Sequence, residues 1–351
     1  MTERPRFLKG WTGAPVGSPH PLRGLLALAS ALLVLFVGLQ GWWVLTPAPG
    51  LAAGPRVVDI YAHQGLLGVA KRLDDAGVIR SPIGFALLAI ARGTARTLKA
   101  GEYEIPVGTT TVGVLSLLEG GRVLQHAVLL REGQTLAEVA KELDSEGLAR
   151  AADVIHVGQD PLFLRTIEIP APSVEGYLFP DTYQFVKGMT VEEMLARMAA
   201  RMREHLTPEI RAAAEERGLT VHQLLTLASI IEREGVVRSE LPLISAVFWN
   251  RLKLDMPLQA DPTVQYAVGK NRQALTRADL QIEHPYNTYR RAGLPPGPIA
   301  NPGLLAIKAA VRPAPVNYLY FVAMDDRRHQ FSQSLADHND AVARYRVPRT
   351  R

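Results

Sequence analysis

Cysteine is absent from the 351 residues, which excludes disulfides, thiolate metal sites and cysteine nucleophiles together. Lysine is scarce: 8 of the 39 basic residues are Lys and 31 are Arg. The excess over 34 acidic residues is only +5, a charge that suits anionic lipid, an acidic polymer or nucleic acid and does not choose among them. The sequence also lacks a His pair at metal-ligand spacing, a Walker loop, a GxSxG elbow and a GxGxxG turn. It therefore implies neither metal nor cofactor. What is present, 47% hydrophobic and 21% charged residues with 29 Gly and 25 Pro, excludes a disordered tail, a coiled coil and a collagen-like repeat. The length leaves room for two or three domains of about 100–200 residues.

Charge is missing altogether from the 32 residues between Arg23 and Arg56. Their apolar part, residues 24–45, is long enough as a helix at about 1.5 Å per residue to cross the roughly 30 Å hydrocarbon layer. Arg4, Arg6, Lys9 and Arg23 precede it against a single Glu3, which predicts a cytoplasmic N-terminus and an inner-membrane anchor. Trp42 and Trp43 fall where an outer aromatic belt belongs. The competing reading is a signal peptide cleaved near Leu51-Ala52-Ala53-Gly54, but the apolar run exceeds the usual core of about 7–15 residues. An extracytoplasmic bulk makes nucleic acid an unsuitable partner.

An internal echo follows. Val69 to Val78 and Val139 to Leu148 are identical at six of ten positions, at a spacing of 70. Each copy has helical apolar spacing, follows an extended stretch and ends at a glycine, Gly77 or Gly147. Residues 101–106 read as a strand between the copies, and 112–118 as a further helix. Such strand–helix units resemble LysM-type glycan-binding modules, and a duplicated spacer is the plainer alternative. Further on, residues 191–217 read as one long amphipathic helix.

Residues 222–234, HQLLTLASIIERE, make a helix apolar nearly all round, so it belongs in a core. Glu232 and Glu234 end it before Gly235. At about 200° apart they are expected to face opposite ways. A carboxyl group there meets desolvation and the negative end of the helix dipole, and both raise its pKa. That makes a general acid able to protonate a leaving oxygen near neutral pH. A helix-end glutamate more ordinarily caps, faces water or pairs, and Arg233 and Arg238 are near enough to pair. Ser239 is expected to cap a second apolar helix over 242–252, and Asp261-Pro262 to start a short third one.

Downstream, amides, hydroxyls and phenols lie in rigid Pro/Gly loops, a composition suited to a sugar-binding groove. The segments Leu227-Ala228-Ser229-Ile230-Ile231-Glu232-Arg233-Glu234, Phe248-Trp249-Asn250-Arg251-Leu252, Leu258-Gln259-Ala260-Asp261-Pro262-Thr263-Val264, Tyr286-Asn287-Thr288-Tyr289, Gly293-Leu294-Pro295-Pro296-Gly297-Pro298-Ile299 and His338-Asn339 occur in order. With Val174-Glu175-Gly176 and Leu98-Lys99-Ala100-Gly101-Glu102-Tyr103, they resemble the pattern of the YceG-like endolytic murein transglycosylases (MltG) over about residues 57–345. The resemblance implies a membrane-anchored lyase that cuts within nascent peptidoglycan glycan strands, with cell-wall synthases as partners. It implies Glu234 as the catalytic acid. Gly235 stands where many members have Thr. Gln259, Asp261, Tyr286, Asn287 and Asn301 are the candidate groove residues, with Gln259 and Asn287 favoured for sugar contact. Glu232, Asn250, Arg251 and Thr263 are candidates for support.

The expected fold is α+β. It comprises a cytoplasmic segment over 1–23, an anchor over 24–45, a LysM-like module over 46–155 and a mixed catalytic domain over 156–351. That domain is expected to end in a strand over 318–323 and a helix over 335–345. Two alternatives stand beside the lyase. One is a non-catalytic scaffold that binds the wall and recruits synthases. The other is a hydrolase in which Glu232 or Asp261 activates water.

Overall fold

The structure, a computed structural model, describes residues 21–61, 64–324 and 328–345. The basic residues Arg4, Arg6 and Lys9 lie outside the described residues. The chain is mixed α+β and divides into two compact units, Met1–Leu124 and Gln125–Arg351.

The first unit opens with α1, Pro21–Leu45, whose stretch Leu22–Leu45 is long and apolar enough to cross a membrane. Strand β1 (Arg56–Ile60) pairs antiparallel with β2 (Gly101–Ile105), Arg56 opposite Ile105. Between them run α2 (Leu66–Asp75) and α3 (Pro82–Ala91). The α4 helix, Thr111–Gly120, is capped by Thr110 and stopped at left-handed Gly121. Val58, Ile60, Leu73, Phe85, Tyr103 and Leu115 form one buried core.

In the second unit β3 (Gln125–Leu129) pairs antiparallel with β4 (Thr182–Val186). Helices α5 (Leu136–Ser145), α6 (Ala151–Gly158) and α7 (Pro161–Thr166) lie between these strands in sequence. The two copies of the echo are thus α2 and α5, ten residues each, and they fall in different units. Placing the division near residue 155 overlooked non-local pairing: β3 finds its partner at β4, and Leu136, Val139 and Leu143 enter the larger core.

The long helix expected over 191–217 is two helices, α8 (Val191–His205) and α9 (Pro208–Glu215). Pro208 disfavours helical geometry in the residue before it, and Leu206 already leaves the helix. Then come α10 (Val221–Glu234), a single 3-10 turn at Arg238–Glu240, and α11 (Leu241–Lys253). Ser239 lies inside that turn instead of capping α11. Helices α12 (Asp261–Ala267) and α13 (Leu304–Val311) follow. The antiparallel pair β5 (Tyr320–Ala323) and β6 (His329–Ser332) precedes α14, Leu335–Tyr345.

Helix α10 is the centre of this unit. Leu224, Leu225, Leu227, Ala228, Ile230 and Ile231 are wholly buried, as an all-round apolar helix requires. A capping box between Thr220 and Gln223 starts it. Its partner α13 is joined to α11 by Trp249 Nε1 donating to the Ala310 carbonyl at 2.8 Å.

Candidate active site

The Pro/Gly loop over 293–303 is clamped to α10 at two points. His222 Nε2 meets the Pro296 carbonyl at 2.8 Å, and the buried Ser229 hydroxyl accepts from Ile299 N at 3.1 Å. Asn301 then staples three segments. Its Oδ1 accepts from Leu178 N at 3.0 Å, its Nδ2 donates to Gln134 O at 2.9 Å, and its carbonyl accepts from Gly133 N at 2.8 Å. Gly176 is needed because a Cβ there would lie 2.2 Å from Pro298 Cβ, and its φ is +82°. These ties bring the loops around residues 133, 176 and 301 to the C-terminal end of α10.

A cavity of about 530 Å³ opens at that end, lined by Glu132, Glu232, Arg233, Glu234, Arg238, Asp261, Gln265 and Arg272 among others. Both glutamates of the helix end line it, so the expectation that they face different surroundings fails. The cavity wraps the final turn, where 200° of rotation no longer separates two environments.

Their engagement differs. Glu232 Oε2 accepts from Gly303 N at 3.0 Å, at the start of α13, where the helix dipole favours a carboxylate. Glu132 is paired with Arg238 at 2.6 Å. Asp261 accepts from the Tyr289 hydroxyl at 2.5 Å. Among the described residues, the Glu234 carboxyl, half-buried at the cavity wall, makes no hydrogen bond. Desolvation pushes its pKa up to about 8, the Asp261 charge adds to the rise, and Arg233 and Arg251 oppose it. Burial raises Glu232 as well, against the Gly303 hydrogen bond.

The remaining candidates mostly build the walls. Asn287, favoured for sugar contact, is fully buried. Its Nδ2 donates to the Leu280 and Ile282 carbonyls at 3.1 and 2.9 Å, and its Oδ1 accepts from Tyr289 N at 3.0 Å. It therefore holds the turn that presents Tyr289 to Asp261. Thr263 is buried against Thr288 at 2.8 Å and Ala260 O at 2.7 Å. Asn250 donates to the Val316 and Tyr318 carbonyls, both at 2.9 Å. Arg251, itself buried, donates to the Leu319 and Leu258 carbonyls at 2.8 Å each and to Gln259 Oε1 at 3.2 Å. Gln259 is exposed in the left-handed region at φ 52°, a strained position that this clamp maintains. Tyr286 is half-buried with its ring 5.0 Å from that of Tyr266.

Sequence reasoning passed over Glu175 as a titratable group. It is buried, accepts from Leu136 N at 3.0 Å at the start of α5, and has the Tyr266 hydroxyl as a second partner. Burial raises its pKa to about 8. A second cavity, about 520 Å³, is lined by Glu175, Lys141, Gln159, Tyr266, Asn271 and Gln273, and Gln265 lines both cavities. The signal was a charged residue between Val174 and Gly176 in an otherwise apolar, aromatic segment.

Fold and site together define an α+β protein with a carboxyl of raised pKa in a polar cleft. The YceG-like family model matches residues 58–344, and the chain belongs to the YceG-like family. It is 32% identical over 303 residues to a protein of Bacillus subtilis (strain 168) named endolytic murein transglycosylase, covering 82% of this chain and 84% of that one. A Streptococcus pneumoniae serotype 2 protein of the same name is 32% identical over 309 residues, 79% of this chain and 56% of its own length. The crystal structure of a YceG-like protein from Listeria monocytogenes superposes with a TM-score of 0.59 at 32% identity, covering 82% of this chain and 98% of that one.

Proposed function

We propose that the protein is a lytic transglycosylase that cuts within peptidoglycan glycan strands, with Glu234 as its acid. The observation that carries the assignment is the Glu234 carboxyl itself, held protonated by desolvation and without a hydrogen bond among the described residues in the cavity. Its proton goes to the oxygen that leaves C1 of MurNAc, and the C1–O bond breaks through an oxocarbenium-like transition state. The carboxylate so formed takes the proton from the C6 hydroxyl of the same sugar. O6 bonds to C1, giving 1,6-anhydroMurNAc and restoring the acid. One carboxyl group suffices because the nucleophile is internal. The names of the relatives support peptidoglycan as substrate.

A hydrolase needs a second carboxylate free to take a proton from water. Its two candidates, Glu232 and Asp261, are hydrogen-bonded within the protein. A scaffold has no use for a half-buried acid that lines a cleft and makes no hydrogen bond among the described residues. Product analysis separates the readings: anhydro ends for the lyase, reducing ends for the hydrolase, and no cleavage for the scaffold.

In this reading α1 anchors the chain in the cytoplasmic membrane, with the N-terminus inside and everything after α1 outside, beside the synthases that extend the strand. The first unit is a LysM-like glycan contact. Its strand–helix–helix–strand order and a cavity of about 640 Å³ beside Tyr61, Gln64 and Arg96 support that role.

A further inference from the structure

Eleven residues between Arg80 and Arg92 carry no charge, and they form α3 with its cap. Phe85, Ala86 and Ala89 turn into the core, while Ile83 and Leu87, one turn apart, remain 53% and 50% exposed. Ile90 continues the stripe toward the cavity beside Tyr61.

This face adjoins the end of α1. Ser81 Oγ donates to Gln40 Oε1 at 2.7 Å, and both side chains are buried. Gln40 interrupts the apolar span, and Ser81 supplies the partner that an amide in hydrocarbon would otherwise lack. A Cβ on Gly84 would lie 3.0 Å from both Gln40 Oε1 and Val44 Cγ2, so α3 lies against the last turns of α1. Pro47, just past α1, pairs with Thr110, and Val107 in the preceding turn is 55% exposed. Cations stand at the same level: Arg80 Nε donates to Pro47 O at 2.8 Å and Arg56 Nε to Gly50 O at 3.2 Å.

We infer that α3 lies in the headgroup–acyl boundary of the leaflet from which α1 emerges, with Ile83, Leu87 and Val107 in phospholipid and Arg56 and Arg80 among anionic headgroups. The inference rests on the reading of α1 as a membrane span. Whatever medium receives the exposed leucines of α1 also meets α3 beside it. Three side chains expose far less than the roughly 800 Å² per partner of a stable protein interface, whereas partition into lipid needs no minimum area. The first unit is then docked on the bilayer at a fixed height.

The absence of cysteine makes the test clean, since a single introduced thiol carries the only label. Leu33→Cys in α1, Leu87→Cys in α3 and Lys71→Cys on the exposed face of α2 are each labelled with NBD in the full chain. They are reconstituted in phosphatidylethanolamine–phosphatidylglycerol vesicles containing acyl-brominated lipid. The expected result is strong quenching at positions 33 and 87 and little at 71. Quenching at 33 with position 87 as bright as 71 overturns the docking of α3 and leaves the anchor standing. No quenching at 33 removes the anchor, and the docking falls with it.

Discussion

Glu232 and Glu234 stand two residues apart at the end of α10 and line one cavity, but Glu232 is tied to the Gly303 N–H at 3.0 Å while Glu234 makes no hydrogen bond among the described residues. The first closes the start of α13, and the second is left to a ligand. Substitutions should separate the two roles. Glu232→Gln keeps an oxygen for Gly303 and should lower cleavage less than about tenfold. Glu232→Ala should cost about 1–3 kcal/mol of stability by leaving a half-buried N–H unmet. Melts and glycan digestion on both variants check this. A dead but fully stable Glu232→Gln enzyme would move the acid by two residues.

The pH dependence has a definite sign. The acid form of Glu234 is needed first, and its pKa is raised to about 8, so cleavage should fall as pH rises through that value. A kcat/KM profile measures it. A rate still climbing above that pH contradicts the assignment.

Stability should register two raised carboxyls, Glu175 and Glu234. Glu175 and Glu234 both rise from 4.5 to about 8, so between those values the folded chain binds more protons than the unfolded one. Stability is therefore greatest toward the acid side of that window and falls as pH rises, by up to about 1.4 kcal/mol per pH unit per carboxyl. Glu175→Gln keeps an acceptor for Leu136 N and should flatten part of the slope in thermal melts. An unchanged slope would show that Glu175 is ionised in the folded state.

Gly235 is crowded by its neighbour. A Cβ there would lie 2.1 Å from Leu241 Cδ2. Gly235→Thr should destabilise by about 1–3 kcal/mol through overpacking, and trimming Leu241 to Ala alongside it should recover part of that loss. A double-mutant cycle by denaturant melts reads the coupling. Strict additivity would mean that the contact does not decide the residue.

What the sequence makes legible is local. Helix α10 and its two terminal glutamates follow from apolar periodicity, and α2 and α5 follow from the echo. The assignment of those copies to one module fails because the pairing of β3 with β4 spans α5 to α7 and leaves no local mark. The same limit applies at the site. Asn287 and Asn301 carry the polar chemistry of a sugar contact, but only the fold shows their amides engaged by backbone. Glu175 stayed hidden because its burial comes from α5 and α12, far from it in sequence.

Mass spectrometry of the ends released from peptidoglycan glycan strands, by the full chain and by Glu234→Gln, tests the central claim most directly. General acid catalysis contributes roughly 10²–10⁴-fold, so Glu234→Gln should remain folded and lose at least that order of activity. The unsubstituted chain should release 1,6-anhydroMurNAc ends, each lighter by one water than a reducing end. Reducing ends from the unsubstituted chain, or anhydro ends at an undiminished rate from Glu234→Gln, would contradict the account.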